Sequence, residues 1–331
     1  MKASVIGLGQ MGLQHSANLS ALTNQPVCVY DSNQRLVGLA AKLAKNLCTH
    51  NSLEELLAHG DAQIFYVCTP VQTHQEVVED ILKTRSDAAL FVEKPLSYDY
   101  SSANRIARMA NSAKRPNMVG FQKRFNGVYS KLKEFVDRGI LGDIRFYRAH
   151  SFSFDVVRPS TGWKFQSSMG GVTLDFGAHM IDILIWLFGE PHVRSSLQQQ
   201  IFSNQVEDYI VAVLENGSFT GVLEIGWCMR NYFPNEHLIE IHGTRGTATA
   251  TDDEVILMLD SDVKDYKAGI TKFNSATLTT RPKYLLTYPE YVLEDQYFIE
   301  CASTQASAHP SFEDATKVNK LVDDIRTKAI G

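Results

Sequence analysis

The sequence predicts an α/β chain: an N-terminal doubly wound parallel sheet, then an α+β domain with a large, mostly antiparallel open sheet. Three observations carry this. In the first 120 residues, short apolar runs alternate with helical patterns, the signature of a parallel sheet. After Pro191 the pattern turns all-β, with Asn216-Gly217 a strong hairpin signal and Gly243-Thr244-Arg245-Gly246 a second turn. The length of 331 residues suits two domains, placed here at 1–121 and 122–331.

Composition narrows the class. A hydrophobic content of 44% with 21% charged residues is that of a globular protein. A net charge of -5 argues against a nucleic-acid partner or an anionic membrane surface. No apolar run reaches the roughly 18 residues of a bilayer span. The first strand starts almost at Met1, so no signal peptide is expected. Five scattered cysteines with no Cys-x-x-Cys pair read as reduced thiols of a cytoplasmic protein. No Cys/His ligand cluster is legible, so no metal is expected and a zinc alcohol dehydrogenase is disfavoured.

Taken in order, Ala3 to Ile6 is an apolar strand that runs into Gly7-Leu8-Gly9-Gln10-Met11-Gly12 and then a helical pattern through Leu22. Gly7 permits the tight turn, Gly9 lets the backbone approach a pyrophosphate, and Gly12 lets the helix pack close to the strand. The helix N-terminus favours the phosphates. The next strand, Val27 to Tyr30, ends in Asp31, about 20 residues on, where a carboxylate accepts hydrogen bonds from an adenosine ribose. That favours NAD. Arg35, one helical turn further, keeps NADP open. The competing reading of Asp31 is a helix N-cap.

Ser52-Leu53-Glu54-Glu55 has the form of a capping box. The strand Ile64 to Cys68 ends in Thr69-Pro70, at the edge where a cofactor lies, followed by His74 in the first turn of a helix. His74 reads equally as a cofactor contact or as a packing residue. The apolar run Ala88 to Val92 ends in Glu93-Lys94-Pro95. Ligands gather beyond the carboxyl ends of parallel strands, so Lys94 is expected at the join of the two halves. A helix from Tyr100 to Asn111 and a strand from Asn117 to Gly120 complete this half.

Phe121 to Asn126 is a basic linker whose Lys123 and Arg124 read as substrate ligands or as solvated charges. A helix is expected over Gly127 to Arg138 and a strand over Ile144 to Phe154. Trp163 lies in a loop and suits the wall of a sugar-sized site. From Gly170-Gly171 to Phe188 the side chains are nearly all apolar, which predicts one buried helix. Asp175, His179 and Asp182 recur there at i, i+4 and i+7, one stripe on one face. Buried polar groups need partners. Asp175 and His179 read as a site floor, Asp182 as structural. Strands are expected at Val193 to Ile201, Asp208 to Leu214, Phe219 to Trp227 and Leu238 to His242. Val211, Val213, Val222, Leu223, Ile225 and Trp227 are expected to make the sheet's outer face a subunit interface. Asp252 to Tyr284 is strand-like but poorly patterned. Helices at Pro289 to Ser303 and Phe312 to Thr327 close the chain.

The glycine fingerprint, Thr69-Pro70-x-x-x-His74, Glu93-Lys94-Pro95 and Gly170-Gly171 followed by Asp175-x-x-x-His179 occur in an order and spacing that resemble the glucose–fructose oxidoreductase/inositol dehydrogenase (Gfo/Idh/MocA) family. The resemblance covers nearly the whole chain. It implies a Rossmann domain, a second domain whose open sheet mediates homodimers or homotetramers, and NAD(P)-dependent hydride transfer at a hydroxyl-bearing carbon of a sugar or cyclitol. By the same resemblance Lys94 matches the catalytic lysine, with Lys94-Pro95 a cis peptide. His179 matches the proton-transfer residue, and Asp175 the acid four residues before it. Gln122-Lys123-Arg124 departs from the Arg-Arg pattern of several inositol dehydrogenases, which leaves the substrate open. Rival readings are a redox-neutral NAD-dependent glycosidase, a sugar-nucleotide dehydrogenase and a sugar-sensing regulator.

Overall fold

The computed structural model describes residues 1–58, 62–158, 162–167, 169–282 and 287–330. The chain divides into two compact units, Met1–Phe121 with Pro282–Thr316, and Gln122–Arg281 with Lys317–Gly331.

The first unit is a six-stranded sheet with β1 (Ala3–Ile6), β2 (Val27–Tyr30), β3 (Leu47–Thr49), β4 (Ile64–Val67), β5 (Ala89–Val92) and β6 (Asn117–Val119). Its spatial order is β3-β2-β1-β4-β5-β6, and every pair is parallel. The order reverses beside β1, the crevice-forming arrangement of a doubly wound fold. Helices α1 (Gln10–Thr23), α2 (Gln34–Leu43), α3 (Leu53–Ala58), α4 (His74–Thr84) and α5 (Tyr100–Ala113) make the crossovers. β1, β4 and β5 are fully buried, which is why they read as unbroken apolar runs. Edge strand β3 has half-buried and exposed residues, Cys48 among the latter, and leaves no apolar run to detect.

The helix Pro289–Thr304 belongs to this first unit, although the sequence reading puts all of 122–331 in one domain. It packs against α1, burying Phe298 beside Tyr66 and Phe91.

The second unit is built on a nine-stranded sheet of mainly antiparallel pairs. After α6 (Gly127–Asp137) come β7 (Ile144–Phe152), α7 (Val172–Asp175), α8 (Ala178–Phe188), β8 (His192–Gln199), β9 (Tyr209–Asn216), β10 (Phe219–Gly226), β11 (Glu236–Gly243), β12 (Gly246–Ala250), β13 (Glu254–Leu259) and β14 (Gly269–Asn274). The spatial order is β14-β13-β12-β11-β7-β10-β9-β8-β15, where β15 is Ala329–Ile330. β7 pairs parallel with β10, and β15 with β8. The hairpin at Asn216-Gly217 is present, with Gly217 at φ +65°. Strands β13 and β14 lie inside the poorly patterned Asp252–Tyr284 stretch, whose end at 283–284 falls outside the described residues.

Two expectations are corrected. First, Leu223, Ile225 and Trp227 do not face outward: they are 0%, 0% and 2% exposed. In register, alternate residues of β10 point to opposite faces, so Val222 lies outside with Val213 opposite it while Leu223 and Ile225 point inward. Second, Gly170 to Phe188 is not one helix. α7 ends at Asp175, and α8 restarts at Ala178. The reason is close packing at Gly177. A Cβ there would sit 2.3 Å from Ile225 Cδ1 on β10 and 2.7 Å from the Thr173 carbonyl oxygen. The chain passes this point in a widened turn, with the Gly177 N–H donating to Val172 O at 2.8 Å, five residues back. Asp175 and His179 therefore straddle a break, so the single-helix stripe does not describe them.

Gly177→Ala is expected to destabilise the chain by about 1–3 kcal/mol, the usual cost of overpacking. Urea unfolding checks this, and an unchanged midpoint would contradict it.

Candidate active site

In the first unit the phosphate loop is held by backbone contacts that admit no side chain. A Cβ on Gly7 (φ +97°) would lie 2.6 Å from the Cys68 carbonyl oxygen, and one on Gly12 would lie 1.8 Å from the Gly7 carbonyl oxygen. Gly9 differs: nothing lies within 4 Å of its Cβ position. It is also the N-cap of α1 and makes no side-chain cap. Open space over an uncapped helix N-terminus fits a bound pyrophosphate. Gln10 and Met11 open α1 beside it.

Asp31 ends β2 and is tied back to this loop. Its Oδ2 accepts the Leu8 N–H at 2.6 Å, and its Oδ1 accepts the Asn33 N–H at 2.7 Å. The N-cap of α2 is Asn33, whose side chain accepts the Arg35 N–H at 3.1 Å. Asp31 is thus not the helix cap. The Arg35 side chain is exposed in the first turn.

Thr69 and Pro70 leave β4 in a turn braced by Thr73, whose hydroxyl lies 2.9 Å from Thr69 Oγ1 and 2.8 Å from Pro70 O. His74 is buried, with Nε2 2.9 Å from Thr69 O and Nδ1 3.2 Å from Leu96 O. Burial pushes its pKa below the ordinary histidine value, and the two carbonyl contacts only partly oppose that. It ties together the loops that follow β4 and β5.

Glu93-Lys94-Pro95 follows β5, and the Lys94-Pro95 peptide is cis. From Phe91 to Ser97 every residue is buried except Lys94. The Glu93 carboxylate holds this loop: Oε2 accepts the Lys94 N–H at 3.0 Å, and Oε1 lies 2.9 Å from His15 Nε2. The other nitrogen of His15 lies 2.8 Å from Asp295 Oδ1, and Asn18 donates to Asp295 Oδ2 at 2.8 Å. His15 and Asp295 are fully buried, and Tyr66 and Phe91 flank the imidazole. Burial alone would lower the pKa of His15, but the carboxylates of Asp295 and Glu93 outweigh it and hold the pKa well above the usual value. His15 is therefore an imidazolium between two carboxylates. Beside it, burial raises the pKa of Glu294 well above the ordinary carboxyl range.

In the second unit the linker charges are committed to ion pairs. Lys123 Nζ lies 2.7 and 2.9 Å from the two oxygens of Asp252, which also accepts from the Tyr129 hydroxyl at 2.7 Å. Burial opposes ionisation of Asp252, but Lys123 holds its pKa below the ordinary value. Arg124 makes a two-pronged contact with buried Asp182 at 2.8 and 2.7 Å and stacks over Trp186. The basic pair ties the linker to Asp252 and to Asp182.

Asp175 closes α7, and its Oδ2 lies 2.7 Å from Lys164 Nζ, a partner that its sequence spacing does not reveal. His179 is the second residue of α8 and is buried. Gly171 (φ +102°) leads into α7, where a Cβ would meet the Glu207 carboxylate at 2.4 Å. That carboxylate accepts the Thr173 N–H at 3.2 Å and pairs with Arg326 at 3.0 Å. Trp163 starts a short 3-10 turn, Trp163–Phe165, and is half-buried. Sequence reasoning missed His15, Asp295, Lys164, Glu207 and Arg326. Of these, only His15 has a local signal, a histidine on the helix three residues past Gly12.

Residues 1–121 match the oxidoreductase family with an NAD-binding Rossmann fold, and residues 129–249 match the GFO/IDH/MocA C-terminal domain. An uncharacterised oxidoreductase of Schizosaccharomyces pombe is 30% identical, over 65% of this chain and 59% of its own length. A second from that yeast is covered over 60%, so the chain matches less than two thirds of these two relatives. Inositol 2-dehydrogenase of Rhizobium meliloti is 22% identical over 98% of this chain and 95% of its own. The structure of levoglucosan dehydrogenase in complex with NADH and levoglucosan superposes with a TM-score of 0.87, at 20% identity, over 99% of this chain and 96% of that one.

The folded state keeps the His15 proton where the unfolded chain releases it. The stabilisation is therefore complete below about pH 6.5 and is lost as pH rises through the higher folded-state value. Removing His15 leaves two carboxylates uncompensated, so His15→Leu is expected to cost about 3–5 kcal/mol at neutral pH. Unfolding free energies measured from neutral to alkaline pH check both statements, and a flat wild-type profile would contradict the first. The chain belongs to the GFO/IDH/MocA oxidoreductase family, with that family's NAD-binding Rossmann domain at its N-terminus.

Proposed function

We propose that the chain is an NAD-dependent dehydrogenase that oxidises a secondary alcohol of a sugar or cyclitol. The observation that carries the reading is Lys94, the single residue of Phe91–Ser97 that is not buried, on a loop pinned by Glu93 at the carboxyl end of β5. An ammonium so held suits an alcohol oxygen that gains negative charge. The names of the Rhizobium meliloti relative and of the levoglucosan enzyme support a polyol or sugar substrate.

Gly7, Gly9, Gln10, Met11, Gly12, Asp31, Thr69 and Pro70 would hold the cofactor, with the phosphates at the α1 N-terminus and the ribose at Asp31. A carboxylate at Asp31 repels a 2'-phosphate and favours NAD over NADP. Bound NAD supplies the hydride acceptor. Lys94 hydrogen-bonds the reacting or neighbouring oxygen and stabilises alkoxide character. His179, as a neutral imidazole, takes the hydroxyl proton. Asp175 orients His179 or binds an adjacent hydroxyl, and Lys164 steadies Asp175. Trp163 lines the substrate. His74, Lys123 and Arg124, with their polar atoms committed to carbonyls and carboxylates, act as braces in this reading.

The outer face of the nine-stranded sheet exposes Phe146, Leu197, Val222, Met258 and Ile270, which supports a homo-oligomer formed there. Among the described residues no helix is long and apolar enough to cross a membrane.

NADH formation against a panel of cyclitols and free sugars tests the reading, with His179→Ala beside the wild type. Loss of a general base lowers turnover by about 10²–10⁴-fold. Unimpaired turnover in His179→Ala would remove that residue from the mechanism. Release of an aglycone without net NADH would favour the redox-neutral glycosidase.

A further inference from the structure

We propose that Cys28, Cys48 and His50 form a binding site for a thiophilic divalent cation of the zinc class, on the β2–β3 edge of the parallel sheet. Their ligand atoms, two thiol sulfurs and an imidazole nitrogen, all lie within 4.8 Å of one another. The Cys48 sulfur is 3.8 Å from His50 Nε2. Tetrahedral zinc, with Zn–S near 2.3 Å and Zn–N near 2.0–2.1 Å, spaces such atoms roughly 3.5–3.8 Å apart. Side-chain rotation of about 1 Å closes the remainder.

The backbone sets this arrangement. Cys28 and Cys48 are direct register partners across the parallel pair β2·β3, so their side chains share one face. His50 lies two residues beyond Cys48, and its N–H still bonds Val29 O at 3.0 Å. The strand period therefore returns its side chain to the thiol face. Two cysteines separated by 20 positions in sequence carry no ligand spacing, which is why the sequence reading expects no metal.

A carboxylate stands near the far side of the imidazole. Glu55 Oε1 lies 3.7 Å from His50 Nδ1, the nitrogen that faces away from Cys48. The carboxylate is fixed from its other side, where Oε2 accepts the Asn51 N–H at 2.8 Å. A shift of about 1 Å would bring it into the hydrogen bond by which carboxylates orient metal-bound histidines. The Ser52 hydroxyl, which accepts the Glu55 N–H at 3.1 Å, starts the helix that carries Glu55.

Chemistry and access agree. Two thiolates and one imidazole favour zinc or another soft cation over calcium or magnesium. Both thiols release a proton to solvent on binding, so the divalent site is electrically neutral and tolerates partial burial. Cys48 is exposed, Cys28 half-buried and His50 buried, which leaves one side open for entry and for a water as fourth ligand.

The test is a Co2+ titration of the metal-free, reduced full chain. One equivalent is expected to bring thiolate-to-metal charge-transfer absorbance that added Zn2+ abolishes. Cys28→Ser and Cys48→Ser should each remove the band. Glu55→Gln keeps all three ligands and should weaken binding by about 10–100-fold. Saturating Zn2+ should raise the Tm of the wild type but not of Cys48→Ser, whose exposed position tolerates serine. The proposal is overturned if no charge-transfer band appears, or if it persists in the Cys28→Ser/Cys48→Ser double variant.

Discussion

A buried imidazolium organises the first unit. His15 reaches from α1, directly behind the glycine loop, to Glu93 after β5 and to Asp295 on the helix Pro289–Thr304. Carrying ions out of water costs several kcal/mol each unless they are paired with good geometry. Here both ring nitrogens and both carboxylates have partners, so the charges lock one arrangement of three segments. The same Glu93 fixes the Lys94 backbone. The phosphate loop and the lysine loop are thereby parts of one hydrogen-bonded framework. A helix far along the chain belongs to that framework because it brings Asp295.

The second unit uses the same device around its polar turn. Arg124–Asp182 ties the linker to α8, Lys123–Asp252 ties it to the start of the β13 region, and Arg326–Glu207 supports the Gly170-Gly171 entry to α7. Each pair spans residues distant in sequence, and the Arg124–Asp182 and Arg326–Glu207 pairs are largely withdrawn from water. What stands at the turn between α7 and α8 is then a carboxylate with a lysine partner and a buried histidine. A basic linker reads as a ligand surface in sequence. In the folded chain Arg124 pairs with buried Asp182 and Lys123 with half-exposed Asp252.

Legibility followed the range of the interactions. The glycine fingerprint, the strand ending in Glu93-Lys94-Pro95 and the Asn216-Gly217 hairpin depend on neighbours in sequence, and each was placed from the sequence alone. The His15–Asp295 contact joins residues 280 positions apart, so no local pattern announces it. The break between α7 and α8 was hidden because an apolar run is equally consistent with one buried helix. What breaks it is the approach of Ile225 from another element to a glycine. The register of β10 likewise decides which of Val222, Leu223 and Ile225 face the core, and composition alone does not.

The proposed activity requires direct hydride transfer from a carbinol carbon to the nicotinamide. It is tested most directly with a cyclitol or sugar that supports turnover, deuterated at the carbon bearing the reacting hydroxyl, and mass analysis of the reduced cofactor. One deuterium is expected in each NADH formed, with the ketone as co-product. Product formation that leaves the cofactor unlabelled, with the deuterium retained in the sugar or lost to water, would contradict it.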